Sequence, residues 1–567
     1  MVSSSLIEPS YWRGGIIVLA CLCIVAFWTG SAHAVKSAKQ PRTKTSILLI
    51  LTDDLGFGDV EYNRPENAKW NGALTPNLNQ MSKADTAFHF DNFHSASSVC
   101  SPTRASILSG RYADRDCVSG ANAKYDLPGR DYRETFPFRI NMPSIARTAK
   151  NVGYRTAFFG KWHLGPLKTK HPGMMGFDNW VAAEGNLPTY DPSCLITEAK
   201  CQAACAPAKV KHVPGECIRV GKQRCSAKET SKNCYLGHYG NPWNFSPAWS
   251  PLMYTQSMNE SAVVPVQIPE KQMPCDFVVD LFDNFIKSVR ADDPFFTFLW
   301  FNEPHHPFIA SPEMAQRCLD GVVCKQKKAK LSEETDYFAV VAAIDMAVGR
   351  VRNILRRENR AADTLLIFTS DNGPERASGD GAGTPFPFRA SKGNIFEGSY
   401  RVPTIMEWPL KITQNAVVNG LASSLDFRAT FNDLFRLEGA SENQLEQDNE
   451  RSVIDGISLI PLFSTPQQWQ RPVPFGLCRP VQVKRRMCDT FSIINGTWKI
   501  VSTRRKTTAQ YNRHKMTLYN MQQDQTEGVN VAGKHPQVYN EMMHRAVAWV
   551  QDVMKDYNAN CGKKKSR

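Results

Sequence analysis

Four apolar runs, each ending abruptly in polar residues, constrain the fold of this chain more than any other feature. They are Ser46–Leu51, Arg155–Phe159, Phe295–Phe301 and Thr364–Thr369. Apolar residues that continue without alternation mark a strand buried on both faces. The runs deliver, in order, Asp53-Asp54, Gly160-Lys161-Trp162-His163, Asn302-Glu303-Pro304-His305-His306 and Asp371-Asn372-Gly373. Helical patterns separate them. One runs from Pro143 to Val152 and stops at Gly153. Another carries Phe277, Val278, Leu281, Phe282, Phe285, Ile286 and Val289, and is broken by Asp292-Asp293-Pro294. A third starts at the cap Ser332 and passes through Tyr337, Val341, Ile344, Val348, Val351 and Leu355. Helix, strand and polar tip in repetition predict an α/β fold: a large, mostly parallel sheet flanked by helices. Ligands gather at the carboxyl ends of strands in such sheets.

Several chemistry-bearing residues fall on that edge. Asp53, Asp54, Asp371 and Asn372 offer three carboxylates and an amide oxygen. These are hard ligands suited to Ca²⁺ or Mg²⁺ rather than zinc. Lys161, His163, His305 and the loop bearing Lys392 join the same edge; each would be an ordinary surface residue elsewhere. The segment Cys100-Ser101-Pro102-Thr103-Arg104-Ala105-Ser106-Ile107-Leu108-Ser109-Gly110-Arg111 predicts a helix. Ser101 is its expected N-cap, Pro102 sits in the first turn, Ala105 and Leu108 face inward, and Gly110 is the stop. Residue 100 is then placed just outside a helix N-terminus, where free N–H groups and the dipole favour anions. Taken alone, a cysteine there reads as a small buried apolar residue or half a disulfide.

The string Cys-x-Pro-x-Arg, with Ala105 and then Gly110-Arg111, resembles the signature of the type I sulfatases of the alkaline-phosphatase superfamily. Gly160-Lys161-Trp162-His163-Leu164-Gly165 is similar to a second string of that family. So is Ser391-Lys392-Gly393-Asn394-Ile395-Phe396-Glu397-Gly398 with Arg401-Val402-Pro403, although Ser399 stands where the family usually shows a second glycine. The resemblance spans most of residues 45–440 and, weakly, the rest. It implies an alkaline-phosphatase-like fold and hydrolysis of aryl or carbohydrate sulfate esters. It also implies that Cys100 is oxidised to formylglycine by the formylglycine-generating enzyme, and that the hydrated aldehyde is the nucleophile. By the same resemblance calcium is the metal, with magnesium the alternative, held by Asp53, Asp54, residue 100, Asp371 and Asn372. Asp371 accepts a proton from the nucleophile, and Arg104 holds residue 100. Lys161, His305 and Lys392 clamp the sulfate. His305 or Lys392 protonates the departing alcohol, and His163 is the base that expels sulfate. His305 is preferred to His306 because His-x-Pro is the family spacing. Thr189 matches a further pocket position and is not counted among the site residues. Two alternatives share the scaffold: a metal-dependent phosphoesterase and a catalytically inactive binding homologue.

The rest of the chain concerns address and boundaries. Residues 1–34 read as a signal peptide, with Arg13 before the apolar run Ile16–Trp28 and a small-x-small site at Ala32-His33-Ala34. A signal-anchor is the other reading, and membrane contact is expected only if the segment stays uncleaved. The catalytic domain is expected over 45–440, with a cysteine-rich insertion at about 190–274 that includes Trp243, Phe245, Trp249 and Tyr254. Polar composition from about Ser441 leads to a smaller α+β subdomain at 450–560. Sixteen cysteines suit an oxidising compartment, and six of them crowd between Cys194 and Cys234 as a stapled insertion. Cys318/Cys324 and Cys478/Cys488 read as local loops. Setting aside Cys21, Cys23 and Cys100 leaves thirteen, so at least one is free or intermolecular. Sequons at Asn244, Asn259 and Asn495 fit the secretory pathway, with a secreted or lysosomal destination. The net charge of +14 suits a polyanion. No nucleic-acid module is visible; a secreted basic protein more naturally meets a sulfated or acidic polysaccharide, and the resemblance implies a sulfated small molecule or polysaccharide as substrate.

Overall fold

All four apolar runs form strands of one sheet in the computed structural model. It describes residues 44–65, 72–121, 140–185, 252–256, 263–269, 272–306, 308–325, 332–375, 382–446, 453–479, 488, 490–502 and 516–561. The expected signal peptide, the cysteine cluster, Thr189, Trp243, Phe245, Trp249, Asn244 and Asn259 lie outside them.

The large sheet has ten strands. In chain order they are β1 (Ser46–Thr52), β2 (Ala87–Phe90), β3 (Arg155–Lys161), β4 (Asn179–Ala183), β5 (Leu252–Gln256), β6 (Val263–Gln267), β7 (Phe295–Trp300), β8 (Thr364–Ser370), β9 (Ile405–Glu407) and β10 (Ala416–Val418). Their spatial order is β10-β2-β9-β8-β1-β7-β3-β4-β5-β6. The central block β8-β1-β7-β3-β4 is wholly parallel. Antiparallel pairings occur toward both edges, where β9 pairs with β8 and β2 and where β5 pairs with β4 and β6. The end of the expected insertion therefore belongs to the sheet, which its broken periodicity did not show.

Side chains of a strand alternate between faces, and β1 is buried on both. Leu48 and Ile50 enter one core, with α2 (Pro274–Ser288) and α3 (Glu333–Arg357). Ile47, Leu49 and Leu51 enter the other, with α1 (Cys100–Ser109) and α4 (Phe427–Leu437). Each fully buried Leu or Ile contributes about 1.5–3 kcal/mol. Ser332 caps α3 by accepting from Thr335 N. The three expected helices begin and end within a few residues of the spans read from the sequence.

A smaller antiparallel sheet follows, β11 (Phe475–Cys478), β12 (Phe491–Asn495), β13 (Trp498–Ser502) and β14 (Thr517–Asn520), covered by α5 (Pro536–Asn560). Cys318–Cys324 and Cys478–Cys488 are disulfides. A third, Cys117–Cys561, joins the segment after α1 to the end of α5 across 444 residues. Cys275 and Cys100 are free and buried. Asn495, half-buried, ends β12 at the turn with Gly496. Among the described residues no helix is long and apolar enough to cross a membrane.

Candidate active site

The parallel block ends its strands on one edge, and the polar tips meet there. Asp53 and Asp54 follow β1, Lys161 closes β3, His305 lies past β7, and Asp371 and Asn372 follow β8. Gly160 lets β3 run close beside β7: an added Cβ would stand 1.9 Å from Trp300 O, and its φ is +118°. Two site residues, Asp54 (φ +68°) and His163 (φ +53°), occupy the left-handed region that disfavours side chains. Such strain persists where the surroundings over-determine it, which is common at active sites.

Arg104 organises the inner end. Its Nε and NH2 donate to Asp371 Oδ2 at 3.0 and 2.7 Å, its NH1 to Lys161 O at 2.7 Å, and NH2 lies 3.2 Å from Asp53 Oδ2. Lys161 Nζ donates to the same Asp53 oxygen. Arg104 is expected to hold residue 100; in this structure its hydrogen bonds go to Asp371 and the Lys161 carbonyl. At the outer end Lys392 Nζ donates to Asp54 Oδ2 at 2.8 Å and to His305 Nε2 at 3.2 Å. His305 Nδ1 donates to His306 O, and its Nε2 lies 3.6 Å from Asp54 Oδ2. Burial, then Lys161 and Lys392, hold the His305 imidazole neutral, well below its usual range.

Cys100 is the first residue of α1, not a residue before it. Val99 is the N-cap and Ser101 lies inside the buried first turn. The placement at a helix N-terminus survives, and Gly110 ends the helix at φ +68° as expected. Cys100 Sγ is 3.2 Å from His163 Nδ1. Burial first, then Asp53 and Asp371, push the thiol up to about 11 against the pull of Lys161 and Lys392. Burial and Lys161 keep His163 well below its usual range.

The acidic groups behave differently at close quarters. Ligand atoms of Asp53, Cys100 and Asp371 lie within 4.8 Å of one another, as do those of Asp53, Asp54 and His305. Burial would raise Asp53, but Lys161, with Arg104 and Lys392, holds it ionised. Burial raises Asp54 well above the carboxylate range and Asp371 to about 6, in both cases with help from neighbouring carboxylates. Asp53 Oδ1 and Asn372 Oδ1 are buried without a hydrogen-bond partner. Two orphaned oxygens beside packed carboxylates fit a hard divalent cation.

The comparisons decide what such an edge belongs to. The family model described as Sulfatase matches residues 45–437. This chain belongs to the sulfatase family. The sulfatase is 26% identical to N-acetylgalactosamine-6-sulfatase of Mus musculus over 448 residues, covering 78% of this chain and 70% of that one. It is 28% identical to arylsulfatase G of Mus musculus over 415 residues, covering 71% and 67%. The crystal structure of Ps i-CgsB in complex with k-i-k-neocarrahexaose shares its fold with a TM-score of 0.65 at 23% identity, covering 89% and 92%. The protein is a sulfuric ester hydrolase, and its family works through formylglycine and a metal ion.

The sulfatase's Ser399, where a glycine is usual, is tolerated because the tight position is the preceding one. A Cβ at Gly398 would stand 2.5 Å from Arg389 O. Motif reading missed Glu375, whose Oε2 is 3.9 Å from Lys392 Nζ and whose carboxyl is held low by Lys392 first and also by His306. It sits four residues past Asp371 on the same tip, and that place was the only signal. Side-chain exposure rises from 0% at Asp53 and Lys161 to 14% at Lys392 and 27% at Glu375, so the mouth lies on the Lys392 side.

Proposed function

We propose that this sulfatase releases sulfate from a sulfated sugar, using a formylglycine made from Cys100. One observation carries the reading: Cys100 stands against His163 at the inner end of a buried edge where two unpartnered oxygens face packed carboxylates. The thiol itself, pushed up to about 11, is a poor nucleophile. The formylglycine-generating enzyme, using dioxygen as oxidant, would oxidise the β-carbon of residue 100 to an aldehyde, with the C–S bond broken and the sulfur released. Hydrated, that aldehyde supplies the nucleophile.

The chain's own residues then divide the work. Asp53, Asp54, Asp371, Asn372 and residue 100 would hold calcium, whose charge offsets that of the sulfate. Asp371, aligned by two bonds from Arg104, takes the proton from the attacking hydroxyl. Lys161, His305 and Lys392 bind the sulfate oxygens, with Lys392 and His305 nearest the mouth, where the sugar stays. The Lys392–His305 pair is within reach of the leaving oxygen and returns a proton to it. His163 removes the last hydroxyl proton so that sulfate can leave. A sugar fits the names of N-acetylgalactosamine-6-sulfatase and of the Ps i-CgsB complex with k-i-k-neocarrahexaose. The apolar run before Ala34, the disulfides and the Asn495 sequon fit a secretory route to a secreted or lysosomal site.

The test is release of inorganic sulfate from N-acetylgalactosamine 6-sulfate, N-acetylglucosamine 6-sulfate and an aryl sulfate, by protein made alongside the formylglycine-generating enzyme. The reading expects turnover of at least one sugar sulfate and none by Cys100→Ala. Preference for a phosphate monoester, or equal turnover by Cys100→Ala, contradicts it.

A further inference from the structure

One buried lysine of the small sheet reaches the loop that carries Lys392, to which Arg479, just past β11, also donates from its Nε to Gly393 O at 3.2 Å. Lys499 on β13 has no exposed side-chain surface, and its Nζ lies 2.7 Å from Glu397 Oε1 and 2.7 Å from Glu527 Oε1. Glu397 Oε2 lies 2.8 Å from His94 Nε2 and 3.4 Å from Arg401 NH1. Glu527 Oε2 accepts from the backbone N of Glu397 at 2.8 Å. Three stretches of chain therefore meet at one carboxylate. His94 opens the approach to Cys100, Glu397 closes the loop that begins at Lys392, and Lys499 belongs to the C-terminal sheet.

Apolar packing alone would attach that sheet, since Tyr400, Leu425, Phe475 and Leu477 already share a core across the junction. Burying charges is costly unless geometry and hydrogen bonds offset the lost hydration. The charges sit where register matters. Lys392 N donates to Pro374 O at 3.1 Å, Gly393 N to Ser98 O at 2.8 Å and Gly398 N to Arg389 O at 2.9 Å. The loop is pinned at its start by the β8 tip and the Cys100 approach, and at its end by Lys499. A shift at Glu397 has few residues over which to dissipate before it reaches Lys392.

We propose that Lys499 is a positioning residue for sulfate-ester hydrolysis: through Glu397 it holds Lys392 against Asp54 and His305, making the C-terminal sheet part of the active-site scaffold. The inference rests on the reading above that Lys392 binds the sulfate.

A double-mutant cycle on an activated aryl sulfate tests it, with Cys100→Ala and Val550→Ala as controls and every variant checked by thermal melting. Lys499→Met lowers kcat/KM about tenfold to a hundredfold, mostly in kcat, as small misplacements of a binding group do. In a Lys392→Ala background the same change costs less than about twofold, because the residue it acts through is gone. Val550→Ala, which loosens α5 away from the charges, lowers Tm and leaves kcat/KM within about twofold of wild type. Should Lys499→Met fail to fold, Glu527→Gln takes its place, with a loss in the wild-type background and none in Lys392→Ala. Equal losses in both backgrounds, or a loss no greater than that of Val550→Ala, overturn the inference while the site reading stands. Cys100→Ala as active as wild type overturns the site reading and the inference with it.

Discussion

His163 Nδ1 faces Cys100 Sγ at 3.2 Å, whereas His305 Nε2 faces Lys392 Nζ at 3.2 Å, nearer the mouth. On the proposed reading the two histidines would serve opposite ends of the reacting sulfate. His163 would act on the group at residue 100, and His305 on the oxygen of the departing alcohol. A backbone held at φ +53° keeps His163 in that relation.

His163→Ala and His305→Ala should therefore differ in kind. Losing a general acid or base costs about a hundred- to ten-thousand-fold. His163→Ala should release about one equivalent of alcohol per site in a burst and then stall. His305→Ala should show no burst with a poor leaving group and partial recovery with an acidic phenol. Rapid-quench kinetics checks this; a burst in His305→Ala alone would reverse the assignment.

Asp371→Asn should impair catalysis more than Asn372→Ala in metal-saturated protein. Asn372 offers one unpartnered oxygen, whereas Asp371 faces Arg104 through two hydrogen bonds and is also proposed to take a proton. The expected gap in kcat is about a hundredfold or more. Equal losses would remove the base role from Asp371.

The strands and their tips were legible because burial on both faces leaves an uninterrupted apolar run, and a run that ends in Asp-Asp or Asp-Asn-Gly has few structural uses. What stayed illegible is long-range. Nothing near Lys499 announces Glu397, 102 residues away, and nothing near Cys117 announces Cys561. The resemblance makes Arg104 the partner of residue 100, and nothing in the sequence shows that its guanidinium reaches across to Asp371 at the β8 tip. The antiparallel strands β5 and β6 were missed because a partly exposed edge with Pro265 carries no clean period.

Chelation should abolish activity, and calcium should restore it more fully than magnesium. Three buried carboxylates and the orphaned Asn372 Oδ1 would gain a common partner on binding the ion. At a hundredfold excess over Kd, binding adds about 2.7 kcal/mol of stability, visible as a raised Tm. An unchanged Tm and full activity in chelator would contradict the metal site.

Glu303, fully buried with Oε1 accepting from Cys275 N at 2.8 Å, links stability to pH. Burial pushes its carboxyl up from the ordinary 4.5 to about 7. The folded state thus holds a proton that the unfolded chain releases, so this contribution is full below about pH 4.5 and is lost as pH rises through about 7. The total is about 3 kcal/mol. Glu303→Gln, which cannot ionise, should gain stability relative to wild type across that window in denaturant titrations. Parallel curves would show that Glu303 does not titrate there.

The central claim is the identity of residue 100, and mass spectrometry of the tryptic peptide that contains it tests that claim most directly. In active protein made alongside the formylglycine-generating enzyme, the peptide should have lost its sulfur and carry an aldehyde that reacts with hydrazide. An unmodified Cys100 thiol at full occupancy in enzyme that still hydrolyses sulfate esters would contradict the account.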